Sequence, residues 1–300
     1  MSTAVPIDRD RPVTPAPLRA MKPAHRPIAM VTAYAAPSAR LAEAAGVDAI
    51  LVGDALGMVV LGYDSTLPVT MDDMLRATAA VTRVTRRPLV VADMPFMRFQ
   101  VGPEDALRNA GRLMAEAGAQ AVKLEGGTEI AATVARITAA GIPVMGHIGL
   151  TPQSVHELGG YKVQARETAS ALKLLEDAHA LEDAGCFAVV LECIPAELAA
   201  IVTAELAIPT IGIGAGGGCD GQVQVFHDLL GLGGDFKPRH ARRYADAGEV
   251  VREALAAYVG DVREGSMASE ETCTRADARV VAEVEATLKR SRVARRPGKA

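Results

Sequence analysis

Short apolar runs alternate with longer amphipathic segments along the chain from Pro27 onwards. Each run is apolar on both faces, which is typical of a parallel strand buried between helices and a barrel core. The longer segments are rich in Ala and have the period of a helix. The strand candidates are, in order, 28–32, 49–53, 89–92, 121–124, 143–146, 187–191, 210–213 and, with a weaker pattern, 222–226.

Glycine follows several helical segments, at positions where a left-handed C-terminal cap is expected: Gly46, Gly118, Gly141 and Gly185. About eight strand–helix repeats predict an α/β fold, and specifically a (β/α)8 TIM barrel. An open doubly wound sheet stays open as an alternative, because periodicity alone does not distinguish the two. The predicted helices are 37–45, 71–85, 103–117, 128–140, 168–184 and 196–204.

The domain boundaries follow from composition. Residues 1–26 carry five prolines among charged residues, which favours a flexible N-terminal arm. We assign residues 27–262 to the barrel, since one such barrel commonly uses about 250 residues. Residues 263–300 are predicted to form a divergent C-terminal helix, near 274–290, and a basic tail that is solvated rather than bound to nucleic acid.

Composition narrows the function classes. A net charge of −4 argues against a nucleic-acid partner, and aromatic residues at 3% predict an aliphatic core. The four cysteines show no zinc spacing, which is typical of reduced thiols in a cytoplasmic protein. No apolar run reaches the ~18 residues of a membrane span, and no secretory signal is expected.

Polar residues end the predicted strands where a barrel carries its chemistry. Each alone has a structural explanation, as a helix cap, a surface residue or a hydrogen-bonded core histidine. Together they cost several kcal/mol to bury unless they are paired or bound to a metal ion, so they indicate a cation or an anionic substrate. The residues are Asp54, Asp93, Lys123, Glu125, His147 and Glu192.

The oxygen donors of Asp54, Asp93 and Glu125 suit Mg²⁺. Lys123 would balance these carboxylates and could hold a substrate carboxylate. A Schiff base at Lys123 is the less favoured alternative, because a lysine beside Glu125 should stay protonated.

Two loops carry further signals. Residues 151–164 are polar and contain glycine, which fits a lid over the site and equally a passive surface loop. Residues 212–218 are rich in glycine, which would let the backbone approach a ligand closely. Their similarity to a phosphate-binding loop is weak, because no P-loop lysine follows.

Nine segments in order between Pro27 and Asp261 resemble the ketopantoate hydroxymethyltransferase family: ILVGDALGM, DSTLPVTMDDM, VADMPF, AVKLEGG, GIPVMGHIGLTPQSV, LGGYKVQ, VVLECIP, IPTIGIGAGGGCDGQV and FHDLLG. The resemblance implies a barrel of the phosphoenolpyruvate-utilising superfamily, a cytoplasmic homodecamer and a step towards pantothenate and coenzyme A. It also implies hydroxymethyl transfer from 5,10-methylenetetrahydrofolate to 3-methyl-2-oxobutanoate through a Mg²⁺-stabilised enolate, giving ketopantoate.

The resemblance also implies residue roles. Asp54 and Asp93 match the ligands of one Mg²⁺ per subunit, and Glu125 matches a third carboxylate of that metal site, bound directly or through water. Glu192 matches the catalytic base. The substrate contacts would be Asp54, Ala55, Asp93 and Lys123, with His147 as an accessory that orients the base or the folate.

The chain departs from the family pattern in three places. Ala55 stands where serine is usual, Ala165 stands where glycine is usual, and the usual ending is replaced by a basic tail. These departures leave open a paralogue acting on another 2-oxo acid, a superfamily C–C or C–P lyase or mutase, and a non-catalytic co-assembling member. The retained charged cluster argues against the last.

Overall fold

Eight parallel strands close into a barrel in sequence order, with the last strand paired to the first. The structure, a computed structural model, describes residues 11–233 and 238–294. The closed order confirms the predicted (β/α)8 barrel, and the open sheet is wrong. The strands are β1 Ile28–Thr32, β2 Ala49–Val52, β3 Leu89–Asp93, β4 Ala121–Glu125, β5 Val144–Gly149, β6 Ala188–Glu192, β7 Thr210–Ile213 and β8 Gly221–Gln224.

The helices alternate with the strands, as the sequence predicts. The four expected glycine caps all have a positive φ, between 74° and 94°. A capping box between Thr70 and Asp73 begins α4. The helices are α1 Pro15–Met21, α2 Ala36–Ala45, α3 Leu56–Val59, α4 Met71–Thr82, α5 Pro103–Ala115, α6 Ala131–Ala139, α7 Thr168–Asp183, α8 Ala196–Glu205, α9 Phe226–Leu230, α10 Ala247–Glu264 and α11 Ala278–Ala294.

Side chains of the strands alternate between two aliphatic cores. One core fills the barrel and includes Met30, Val91 and Met145. The other lies between the strands and the surrounding helices and includes Ile50 and Val90. Both faces of the strands are therefore buried, which explains their continuous apolar pattern.

The N-terminal arm differs from the prediction. Residues 15–21 form helix α1, and Val13, Leu18 and Met21 are buried within the same core as the barrel interior. The backbone N–H of Val13 also donates to the carbonyl of Arg87 at 2.7 Å. Pro15 is at the start of a helix, where its missing N–H is tolerated, rather than in an extended arm. The flexible assignment is thus wrong for residues 11–26, and its first ten residues lie outside the described range.

Replacing Leu18 with Ala is expected to lower the free energy of unfolding by about 2–5 kcal/mol, because Leu18 is completely buried. Urea denaturation followed by circular dichroism measures this change. The control is Arg19→Ala at an exposed neighbouring position, which should alter stability by less than about 0.5 kcal/mol. A Leu18→Ala effect no larger than the control would contradict the docking of α1.

The C-terminal boundary also differs from the prediction. Among the described residues, one compact unit ends at Asp246 and a second begins at Ala247, so the division falls before α10 rather than at residue 262. Helix α11 starts four residues after the predicted helix. The end of the basic tail, 295–300, lies outside the described residues. No helix within the described ranges has the length and apolarity needed to span a bilayer.

Candidate active site

All six predicted polar residues meet at the carboxyl ends of β2 to β6. Five of them are buried, with exposed fractions between 3% and 7%, and the side chain of Glu192 is 16% exposed. Asp93, Glu125 and Glu192 are the last residues of their strands, and His147 lies inside β5. Parallel strands that end at one rim therefore bring together residues that are far apart in sequence. The six are Asp54, Asp93, Lys123, Glu125, His147 and Glu192.

Asp93 links two sides of the cluster. Its Oδ2 accepts a hydrogen bond from the backbone N–H of Asp54 at 3.0 Å. Its Oδ1 lies 3.0 Å from Nζ of Lys123, because the register pairs these residues on adjacent strands. This buried Oδ1 has no partner with hydrogen-bond geometry among the described residues. Oδ1 is thus held by its ion pair with Lys123, and its remaining lone pair can contact a further ligand.

Lys123 is surrounded by carboxylates. Besides Asp93, its Nζ lies 3.9 Å from Oε1 of Glu125, two residues along the same strand and on the same face. Burial lowers the pKa of Lys123, but the charges of Asp93, Glu125 and Asp54 outweigh it and raise the pKa above its ordinary value. The ammonium group therefore stays protonated, which disfavours a Schiff base.

His147 stands between two carboxylates. Its Nε2 lies 3.1 Å from Oε2 of Glu192, within ion-pair range, and its Nδ1 lies 3.4 Å from Oε1 of Glu125. Burial and the nearby Lys123 lower the pKa of His147, but interactions with Glu125 and Glu192 raise it to about 9. Its Nδ1 also lies 3.0 Å from Nζ of Lys123. With a proton on Nε2, the imidazole can donate to Glu192 and hold it in place.

Asp54 shows that the cluster has excess negative charge. Burial, followed by the charges of Glu125 and Asp93, raises its pKa well above the ordinary range. The site contains four carboxylates and two side chains that can carry positive charge. A divalent cation would relieve this imbalance.

Gln153 is a site residue that the sequence reasoning did not identify individually. Its Nε2 donates to Oδ2 of Asp54 at 2.8 Å and to the carbonyl of Met94 at 3.0 Å. Its backbone N–H donates to Oε2 of Glu125 at 2.9 Å. Residues 151–164 therefore begin inside the site, so they are not a passive surface loop. The only sequence signal was the polar character of this loop after β5.

The glycine-rich loop after β7 packs against protein rather than against a ligand. A Cβ at Gly216 would lie 2.4 Å from Cβ of Ala196, and one at Gly218 would lie 2.8 Å from Cβ of Ala200. Both alanines belong to α8. The glycines thus permit close approach of this loop to a helix, and the expectation of a ligand contact is not met at these two positions.

Two of the departures noted in the sequence occupy defined positions. Ala55 precedes the short helix α3, next to Asp54 at the rim. Ala165 has a φ of 54°, so the backbone keeps the left-handed conformation that glycine would favour. The segment has therefore not lost its left-handed turn, although the alanine strains it.

The fold and the site define an enzyme of the (β/α)8-barrel class, with a charged pocket at the carboxyl ends of its strands. The family model described as ketopantoate hydroxymethyltransferase matches residues 12–270. A 3-methyl-2-oxobutanoate hydroxymethyltransferase of Carboxydothermus hydrogenoformans is 60% identical over 84% of this chain and 91% of its own length. Another, of Gluconacetobacter diazotrophicus, is 58% identical over 86% and 93% respectively.

Solved structures with the same fold are far less similar in sequence. A 2,3-dimethylmalate lyase, described as a member of the PEP mutase/isocitrate lyase superfamily, has a TM-score of 0.56 at 19% identity, over 93% of this chain and 98% of that chain. A phosphonopyruvate hydrolase in complex with oxalate and Mg²⁺ has a TM-score of 0.55 at 16% identity, over 94% and 98%. These similarities concern the fold alone.

The chain belongs to the ketopantoate hydroxymethyltransferase family. It is a transferase that forms ketopantoate from 3-methyl-2-oxobutanoate, on the route to pantothenate, which confirms the function predicted from the sequence. The lyase or mutase alternative is set aside, because the relatives at 58% and 60% identity are hydroxymethyltransferases, whereas the lyase is only 19% identical.

Proposed function

We propose that Glu192 removes a proton from carbon 3 of 3-methyl-2-oxobutanoate, and that the resulting carbon nucleophile takes the methylene carbon of 5,10-methylenetetrahydrofolate. The two C–N bonds of that carbon are replaced by the new C–C bond and by a C–OH bond from one water molecule. Tetrahydrofolate leaves with both nitrogens protonated, one by the proton from carbon 3 and one by the proton from water. The observation that carries this proposal is the position of Glu192, 3.1 Å from His147 at the rim that also holds Asp54 and Asp93. A carboxylate can act as a general base only within reach of the proton it removes.

One Mg²⁺ fits the donors at Asp54 and Asp93. Both carboxylates are buried, and Oδ1 of Asp93, although ion-paired with Lys123 at 3.0 Å, has no partner in full hydrogen-bond geometry among the described residues. In the same residues, no group of three or more His, Cys, Asp or Glu side chains is arranged to hold a metal ion. Two carboxylates, with water and substrate oxygens, are the set that Mg²⁺ usually takes. When bound, the ion would stabilise negative charge on the keto oxygen.

Glu125 would act through water rather than as a direct ligand. Its two oxygens already face Nδ1 of His147 and the backbone N–H of Gln153. These contacts contribute to a pKa below the ordinary value, against the effect of burial. An ionised Glu125 would add negative charge around the metal without displacing its hydrogen-bond partners.

The remaining residues bind and orient the substrate. Lys123, held protonated by its carboxylate neighbours, would contact the substrate carboxylate. The backbone N–H of Ala55 would donate to the same group. His147 would orient Glu192 through its Nε2, and Gln153 would hold Asp54 through their 2.8 Å hydrogen bond.

We further propose that the enzyme is a cytoplasmic homodecamer without nucleic-acid or membrane partners. The net charge of −4 supports the first exclusion. Sedimentation equilibrium at several protein concentrations tests the assembly, and a mass other than ten subunits would contradict it.

Incubation of the purified protein with both substrates and Mg²⁺ tests the reaction. Ketopantoate should form, and carbon 3 of the oxo acid should exchange its hydrogen with D₂O without the folate. Both reactions should stop in excess chelator and return on addition of Mg²⁺. If either reaction kept its rate in excess chelator, the metal would be ruled out. If the protein exchanged the carbon 3 hydrogen but formed no ketopantoate, 5,10-methylenetetrahydrofolate would be ruled out as the one-carbon donor.

Introducing serine at position 55 is expected to lower KM for 3-methyl-2-oxobutanoate roughly tenfold, because a hydrogen bond to a charged group contributes ~1.5–3 kcal/mol. Steady-state kinetics at saturating folate measure the change. Ala256→Ser, at an exposed position in α10, is the matched control and should leave KM unaltered. An unchanged KM in Ala55→Ser would mean that position 55 does not contact the carboxylate.

A further inference from the structure

The ends of β8 and β1 hold a second polar cluster that the proposed chemistry does not use. In a closed barrel of eight strands in sequence order, β8 and β1 face β4 and β5 across the mouth. The backbone N–H of Phe226 donates to Oγ1 of Thr32 at 3.0 Å and ties the two strand ends together. We call Tyr34, Gln224, His227 and Asp228 the β8–β1 cluster.

Three atoms of this cluster lack hydrogen-bond partners. Oη of Tyr34, Oε1 of Gln224 and Nδ1 of His227 are buried without a partner in full hydrogen-bond geometry within residues 11–233 and 238–294, although the Thr32 side chain lies close enough to Tyr34 to lower its pKa. Tyr34 is only 6% exposed. Buried polar groups are nearly always hydrogen-bonded in native proteins, and leaving one unpaired is costly. Three unpaired groups on two adjacent strand ends therefore indicate a ligand that supplies their partners.

Flat side chains and a carboxylate complete the cluster. The rings of Tyr34 and His227 are stacked, with centroids 5.7 Å apart and an angle of 26° between their planes. Phe226 meets His227 edge-on at 5.8 Å. Asp228 is half-buried, and burial raises its pKa. The cluster thus combines aromatic surfaces with acceptors at Gln224 and Asp228 and a donor at Tyr34.

Tyr34 connects this cluster to the catalytic residues. Burial raises its pKa most, and the charges of Asp93, Asp54 and Asp228 add to that effect. Its phenol therefore interacts electrostatically with the proposed metal-binding carboxylates and with Asp228. A ligand that contacts Tyr34 would lie beside the oxo acid, on the side of the mouth opposite His147.

We propose that the β8–β1 cluster binds the pterin ring of the one-carbon donor, an inference that rests on the proposed function. A reduced pterin is flat and presents two adjacent N–H donors, the 2-amino group and N3–H, beside a carbonyl acceptor. Asp228 and Gln224 accept from the donors, and the Tyr34 hydroxyl donates to the carbonyl. Binding there places the methylene group over the face of carbon 3 that is turned away from His147.

Calorimetric titration with tetrahydrofolate tests this assignment, using the full-length protein with Mg²⁺ and 3-methyl-2-oxobutanoate. Tyr34→Phe and Asp228→Asn should each weaken binding roughly tenfold. The KM for 5,10-methylenetetrahydrofolate should rise by a similar factor. Exchange of the carbon 3 hydrogen, which needs no folate, should stay within about twofold of the wild-type rate.

Tyr258→Phe is the matched control, because Tyr258 is exposed in α10. Tyr34→Phe removes only the weak contact of the hydroxyl with Thr32, so its melting temperature should stay close to that of the wild type. Asp228→Asn gives an independent second measurement. Unchanged tetrahydrofolate binding in both variants would overturn the proposal and would assign the unpaired atoms to bound water. A parallel loss of exchange would also overturn it, because Tyr34 would then act on the oxo acid.

Failure of the proposed function gives a different result. Wild-type protein that exchanges no hydrogen at carbon 3 would remove the base chemistry itself, and with it this subsite. Both the reaction and the subsite are supported if the wild type exchanges the carbon 3 hydrogen and binds tetrahydrofolate, and if the two variants keep the exchange but lose the binding.

Discussion

Replacing Glu192 with Gln is expected to slow exchange of the carbon 3 hydrogen by about 10²–10⁴-fold, the usual contribution of a general base. The substitution keeps the shape of the side chain but replaces the carboxylate, which can accept the proton, with a neutral amide. His147, 3.1 Å away, would lose one of the two carboxylates that raise its pKa. Exchange into D₂O, followed by proton NMR without folate, isolates this step from the transfer.

Binding of the oxo acid should survive this change, because the proposed substrate contacts lie on β3 and β4 and directly after β2. Calorimetry in the presence of Mg²⁺ should give a dissociation constant within about threefold of the wild-type value. The control is Glu197→Gln, five residues along the chain and exposed in the first turn of α8. Exchange in Glu192→Gln at the control rate would refute Glu192 as the base.

The barrel and most of its catalytic rim could be predicted from the sequence. Apolar runs such as those of β2 and β3 are continuous because both faces of a barrel strand are buried, and Asp54 and Asp93 interrupt that pattern. The rule that parallel strands end at one rim then brings these residues together without any knowledge of loops. The pairing of Asp93 with Lys123 follows from strand register, which is local.

Long-range contacts of loops and the chain terminus could not be predicted in this way. Gln153 reaches Asp54 across 99 residues of sequence, and no periodicity specifies where a loop folds back. The composition around helix α1 predicts a flexible arm because prolines such as Pro15 dominate it, whereas two buried side chains, Leu18 and Met21, fix the segment.

The charge balance of the site couples the ionisation of Asp54 and Lys123 to that of the neighbouring carboxylates. The pKa of Asp54 is raised by burial and by two neighbouring carboxylates, whereas that of Lys123 is raised by the same carboxylates. Without a cation, the cluster destabilises the folded protein through Asp54. A bound Mg²⁺ would reverse the sign of that contribution, which links metal binding to stability.

Replacing Asp54 with Asn should therefore affect stability and activity in opposite directions. In metal-free protein at pH 7, the variant should melt at a higher temperature than the wild type, because a buried carboxylate with too many negative neighbours is gone. Carbon 3 exchange with Mg²⁺ should fall by at least about 10²-fold, because the ion that stabilises the developing charge loses a ligand.

The pH dependence has a definite sign. Folding raises the pKa of Asp54, so the folded state holds this proton more tightly than the unfolded state. The contribution of Asp54 to stability therefore falls as pH rises above its ordinary pKa of 3.8 towards the raised value. The melting-temperature difference between Asp54→Asn and the metal-free wild type should be larger at pH 7 than at pH 5.

Titration with Mg²⁺ separates the metal from a purely structural effect. At about 100 times the dissociation constant, a ligand stabilises the folded protein by about 2.7 kcal/mol. For a protein of 300 residues, whose unfolding entropy is about 0.6 kcal/mol/K, that corresponds to a rise of about 4 °C in the wild-type melting temperature. Asp54→Asn should show little or no rise. Asp72→Asn, at a residue whose side chain is 65% exposed, should respond as the wild type does. If Mg²⁺ raised the melting temperature of Asp54→Asn as much as that of the wild type, Asp54 would contribute nothing to Mg²⁺ binding. The metal site would then lie elsewhere.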